Sequence, residues 1–99
     1  MKHFIVEIVY LVPVEQLGET VAEHRKFLGG GYERGLFLLS GPRVPRTGGL
    51  LVARAESLED LQAFLAGDPY QQKGLAEHHY TEFDTVLRQS FLEDWVTGE

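Results

Sequence analysis

The chain has 99 residues, with nine lysines and arginines against fifteen acidic residues, a formal net charge of −6, 43% hydrophobic residues and no cysteine. One domain with a genuine hydrophobic core fits that size and composition, and disorder does not. The acid excess argues against nucleic acid or an anionic membrane as partner, and the lack of cysteine removes disulfides, thiol nucleophiles and thiolate metal sites.

Residues 3–12 are rich in β-branched and aromatic side chains and are stopped by Pro13, so they are expected to form a strand rather than a signal peptide. No apolar run approaches the roughly 20 residues that span a bilayer, and a soluble cytoplasmic protein is expected. Residues 14–34 are predicted as a helix, because Val14, Leu17, Val21, His24 and Leu28 recur at the spacing of one helical face. Gly29-Gly30-Gly31 either ends that helix or gives it a smooth patch for close packing. Tyr32 rejoins the stripe one turn on, which favours continuation, and Gly35 supplies the stop.

A second strand is expected over Leu36-Phe37-Leu38-Leu39-Ser40, stopped by Gly41-Pro42. A turn-rich connection leads to a third strand over residues 50–55. Ser57 is a candidate N-cap for a second helix, with Asp60 three residues on and Leu58, Leu61, Phe64 and Leu65 as its buried face. A short helical turn around residues 68–74 precedes a fourth strand, about residues 78–87. The order β-α-β-β-α-β predicts an α+β, ferredoxin-like fold: a four-stranded antiparallel sheet with both helices on one face.

The first two strands are apolar on both sides, yet two helices cover only one side of a sheet. A face-to-face homodimer through the open sheet face, a dimeric α+β barrel, is the economical expectation. Residues 1–87 are read as the domain and residues 88–99 as a tail. The tail pairs apolar residues in Phe91-Leu92-Glu93-Asp94-Trp95-Val96, as a short helix at the dimer interface or against its own chain.

His24 stands where the helical pattern calls for an aliphatic side chain. A buried imidazole needs partners for its ring nitrogens, and it titrates near neutrality, which makes it a candidate site residue. Several segments resemble the YciI-like (YCII-related) family. They are His24-Arg25-Lys26-Phe27-Leu28, Gly35 through Ser40-Gly41-Pro42, Thr47-Gly48-Gly49, Ser57-Leu58-Glu59-Asp60, Ala66-Gly67-Asp68-Pro69-Tyr70 and Gly74-Leu75-Ala76-Glu77. The likeness covers roughly residues 3–87 in the family's order and spacing. It implies the same fold and dimer, and an active site on a His–Asp pair that maps onto His24 and Asp68. The family is related in fold to muconolactone isomerases and cofactor-free monooxygenases, and a few members are linked to dehydrochlorination of hydroxylated aromatics.

A carboxylate on one imidazole nitrogen fixes the tautomer and leaves the other nitrogen to take a substrate proton. Asp68 also reads as an ordinary helix cap, followed by proline and Gln71 at the capping-box position, and one carboxylate can serve both purposes. Ser40 and the loop arginines Arg43 and Arg46 are candidates to bind a substrate carboxylate or phenolate, against the alternative of an ordinary hairpin with solvated arginines. Tyr70 lines a pocket for a ring or packs under the short helix.

His78 and His79, adjacent on a strand, point to opposite faces and cannot chelate one metal together. No metal site is expected, and the glycine triplet lacks the spacing of a nucleotide-binding loop, so no cofactor is expected either. The reading is a small-molecule acid/base enzyme of lyase or isomerase type, acting on a hydroxylated cyclic or aromatic metabolite. A non-catalytic ligand-binding or regulatory module and a cofactor-free monooxygenase are the alternatives.

Overall fold

In the computed structural model, which describes residues 1–98, the first β-rich run forms strand β1 over Lys2–Tyr10. Helix α1 spans Thr20–Glu33, strand β2 Phe37–Pro42 and strand β3 Gly48–Ala55. Helix α2 spans Leu58–Leu65, the short helix α3 Pro69–Gln72 and strand β4 Ala76–Phe83. Helix α4, Glu93–Thr97, closes the chain. All strand pairs are antiparallel and the sheet order is β2-β3-β1-β4, the ferredoxin-like arrangement of two interleaved βαβ halves.

Strand parity decides the core. Phe4, Val6 and Ile8 of β1 share a face with Leu51, Ala53 and Ala55 of β3 and Phe37 of β2, and all are buried. Leu28 of α1 and Leu61 and Leu65 of α2 close over them. Each of the larger side chains contributes about 1.5–3 kcal/mol by leaving water. A second cluster, Ile8, Leu17, Tyr70 and Ala76, fills the end of the same face beneath α3. The opposite sheet face is uncovered over much of its width: Ile5, Val9 and Val52 are half-buried, while Leu39, Leu50 and Phe83 are exposed.

The single helix expected over residues 14–34 is instead two pieces. Val14–Gln16 forms one 3₁₀ turn, and Gly18 then adopts φ +52°, a left-handed conformation that no helix accommodates. Leu17, His24 and Leu28 are nevertheless buried, so the apolar stripe survives the break in the helix. α1 does run through Gly29-Gly30-Gly31, and one of the three has a packing reason. A Cβ on Gly31 would overlap the Phe37 ring, whereas Gly29 and Gly30 face open space. Gly35, at φ +72°, follows the end of the helix as expected.

The boundaries of all four strands differ from expectation: β1 ends at Tyr10 rather than at residue 12, and β3 begins two residues early at Gly48, which pairs with Val9. β2 continues through Gly41 and Pro42, which pair with Leu50 and Gly49; it is an edge strand, where proline's missing N–H costs no ladder bond. β4 begins at Ala76 and ends at Phe83, because its register with β1 runs from Tyr10 to His3 and no further. Ser57 caps α2 by accepting a bond from the Asp60 N–H at 3.1 Å.

In the tail, a 3₁₀ turn at Ser90–Leu92 leads into α4. Trp95 packs on its own chain, its ring 5.6 Å from that of His3 and 5.1 Å from the Arg54 guanidinium carbon. Arg54 also donates to the carbonyls of Gly35 and Trp95. Among the described residues, no helix is long and apolar enough to cross a membrane.

Candidate active site

Asp68 begins α3 and is fully buried, a position a carboxylate occupies only when its oxygens are satisfied. Its Oδ1 accepts from His24 Nδ1 at 2.8 Å and from the Tyr70 N–H at 3.0 Å. Its Oδ2 accepts from His78 Nε2 at 2.9 Å. One carboxylate thus caps α3 and joins α1 to β4. Burial pushes the Asp68 carboxyl up, but the bonds from His24 and His78, the attraction to His24 and the Tyr70 N–H outweigh it. Together they hold Asp68 down to about 2, below the ordinary 3.8.

An ionised carboxylate only accepts, so the His24 nitrogen facing it, Nδ1, carries the hydrogen. In the neutral ring Nε2 is then the nitrogen with the lone pair, and it has no protein partner among the described residues. The ring lies parallel to that of Tyr70, with centroids 3.9 Å apart at 9°. Tyr10 meets the other side of this arrangement, edge-on to Tyr70 at 5.9 Å. The acid/base candidate is therefore held by a hydrogen bond in its plane and by stacking across it.

His24 and Tyr70 line a cavity of about 310 Å³ between α1 and the sheet, together with Tyr10, Tyr32, Ser40 and Arg46. That volume is at the small end of the range for small-molecule sites. Ser40 pairs with Leu51, which puts it on the helix-facing side of β2, and it shares a 2.7 Å hydrogen bond with the Tyr32 hydroxyl. Arg46 Nε donates to the Tyr10 hydroxyl at 3.4 Å, and that bond raises its already high pKa. Burial and the neighbouring Tyr10 push the Tyr70 phenol up, with Arg46 opposing them, so it stays protonated and can donate to a ligand.

Five of the six sequence candidates therefore converge: His24, Ser40, Arg46 and Tyr70 line the cavity, and Asp68 stands behind His24. Arg43 does not join them. It lies outside the cavity and faces Glu7 across 3.8 Å, both residues being solvent-accessible.

Two participants escaped the sequence reading. In the sequence His78 stands out only beside His79, but strand alternation places it with Ala76 and Tyr80 on the helix-facing side, where Asp68 is. Its Nδ1 is buried without a partner, so its one bond goes to Asp68. Tyr32 was legible only as a stripe residue that rejoins after the glycines. Among the described residues no group of three or more histidines, cysteines or carboxylates is arranged to hold a metal ion.

The model of the YCII-related domain matches residues 3–84. Among solved structures, the chain is similar to the 5-chloro-2-hydroxyhydroquinone dehydrochlorinase of Burkholderia phenoliruptrix AC1100, determined in complex with 2,5-dihydroxybenzoquinone. The TM-score is 0.69 at 19% identity, over 83% of this chain and 93% of that one, a likeness of fold. No curated protein matches the chain in sequence.

Proposed function

The chain belongs to the YCII-related family, and on that premise we propose that it is a small-molecule enzyme whose acid/base group is His24 and whose substrate is a hydroxylated cyclic or aromatic compound. The observation that carries the proposal is the His24 ring itself. One nitrogen is tied to a buried, ionised Asp68 at 2.8 Å, and the ring stacks on Tyr70 at the wall of a cavity of about 310 Å³.

In this reading Nε2 of His24 takes the proton of a substrate hydroxyl or acidic C–H. The electron pair left behind moves into the ring. On a chlorinated ring in the keto tautomer, whose C–Cl carbon has gained a proton, it expels chloride, so that the substrate loses one proton and one chloride overall. On an unsaturated lactone the proton returns at another carbon, and the double bond migrates. Neither course changes the overall oxidation state of substrate plus leaving group, so no external oxidant is required. Asp68 holds the imidazole in one tautomer and stabilises the imidazolium. Ser40, Arg46 and Tyr70 position the substrate oxygens.

The fold of the dehydrochlorinase neighbour supports this reading, since that protein binds a hydroxylated six-membered ring. The test is turnover of 5-chloro-2-hydroxyhydroquinone and of unsaturated lactones, followed as chloride release and double-bond migration. His24→Gln is expected to lower the rate by about 10²–10⁴-fold. Equal turnover by native protein and His24→Gln would remove His24 from the chemistry.

A second copy of the chain is part of the proposal. Ile5, Val9, Leu39, Leu50 and Val52 leave an apolar sheet face that a partner's equivalent face would cover. Sedimentation at micromolar concentration is expected to give a dimer, which Leu50→Lys weakens.

A further inference from the structure

The cavity around His24 differs in charge from the chain that builds it. The whole sequence carries fifteen acidic against nine basic residues, yet the cavity wall includes two arginines, Arg25 and Arg46, and no carboxylate. The other described arginines have engagements elsewhere. Arg43 faces Glu7, Arg88 pairs with Glu93, Arg54 donates to two backbone carbonyls, and Arg34 lies over the Phe64 ring. Among the described residues, Arg25 and Arg46 have no carboxylate within ion-pair distance. Arg46 uses Nε on the Tyr10 hydroxyl and also meets the Tyr70 hydroxyl, so its guanidinium is held against the cavity wall.

We propose that the cavity selects an anionic ring: a substrate that carries a carboxylate or an equivalent oxyacid group, held by Arg46 and Arg25, in addition to the hydroxyl presented to His24. This names the substrate class of the acid/base reading above and rests on it for the role of His24. The physical case is one of complementarity. A neutral polyol or phenol would be satisfied by the hydroxyls of Tyr10, Tyr32 and Ser40, with no use for two uncompensated positive charges. A guanidinium presents its N–H groups in a planar fork that matches the two oxygens of a carboxylate. Two cations at a partly enclosed wall also draw anions into the cavity against the repulsion of a chain of net charge −6.

The test compares two ring-matched probes, 2,5-dihydroxybenzoate and 2,5-dihydroxybenzamide, by calorimetry and by NMR shifts of residues around the cavity. The carboxylate is expected to bind at least about tenfold more tightly than the amide. Arg46→Gln is expected to remove most of that preference by weakening the carboxylate about tenfold, with little change for the amide. Arg25→Gln acts in the same direction and less strongly. Arg88→Gln, on the surface ion pair with Glu93, serves as the control and leaves both affinities unchanged. Equal affinity for the two probes, a preference that survives in the Arg25→Gln, Arg46→Gln double variant, or no binding of the carboxylate at millimolar concentration would each overturn the proposal. Selective carboxylate binding in a protein whose His24 proves irrelevant to turnover would leave this inference standing and defeat the acid/base reading instead.

Discussion

Two adjacent histidines of β4 each meet a carboxylate, and the two pairs differ in almost everything except distance. His78 meets Asp68 at 2.9 Å with its side chain 1% exposed; His79 meets Glu77 at 3.0 Å with its side chain 55% exposed. Strand alternation sends one ring under the helices and the other to the open face. In water the second pair gains little from its Coulomb attraction and loses side-chain entropy in making it. In the interior the first pair has no water to fall back on, so each partner depends on the other. Equal hydrogen-bond lengths thus conceal unequal energetic importance, and burial identifies which carboxylate organises a site.

The largest consequence is for Asp68 itself. Asp68→Ala would strand His24, His78 and the Tyr70 N–H together, and the expected cost is about 3–5 kcal/mol in chemical denaturation. A loss below about 1 kcal/mol would mean that the buried cluster is no more important than the surface pair.

Acid should single out the same carboxylate. Its folded pKa, about 2, lies below the ordinary 3.8, so the folded state prefers the ionised form. The resulting stabilisation is fully present above pH 3.8 and is lost as pH falls from there towards 2. It amounts to roughly 2 kcal/mol. Stability curves for native protein and Asp68→Asn should run parallel above pH 5 and change slope relative to one another below 4, where the native protein alone loses this contribution. Parallel curves down to pH 2 would deny the depression.

His78 separates the loss of a donor from the loss of shape. His78→Phe leaves Oδ2 of Asp68 buried and unpaired, at an expected cost of about 1–3 kcal/mol. His78→Gln can present an amide N–H at the same reach and should recover much of that. If both variants lose the same stability, the ring rather than its N–H matters. The smallest effects belong to the surface pair: Glu77→Ala and His79→Ala should each change stability by no more than about 0.5 kcal/mol. A larger effect would erase the contrast.

His24 was legible in the sequence because it interrupts an aliphatic stripe, and that pattern is set by which side of the chain meets the sheet. The same periodicity could not reveal the break at Gly18, since a 3₁₀ turn and a left-handed glycine bring Leu17 back to the buried side. Asp68 was legible as a helix cap and, through the family likeness, as a partner for His24; in the structure one carboxylate makes both kinds of bond. His78 needed only strand parity, yet a carboxylate ten residues away in sequence becomes its partner through the turn after α3 and the pairing of β4 with β1. Arg43 and Arg46 looked alike because loop composition carries no direction. One faces Glu7 outside the cavity, and the other reaches Tyr10 inside it.

The most direct test is long-range ¹H–¹⁵N NMR of the neutral His24 ring, in native protein and in Asp68→Asn. The geometry predicts that Nδ1 carries the hydrogen in the native protein and Nε2 the lone pair that faces the cavity. Replacing the carboxylate by an amide should shift that tautomer balance. A native ring protonated on Nε2, or a tautomer balance identical in Asp68→Asn, would contradict a general base held by Asp68.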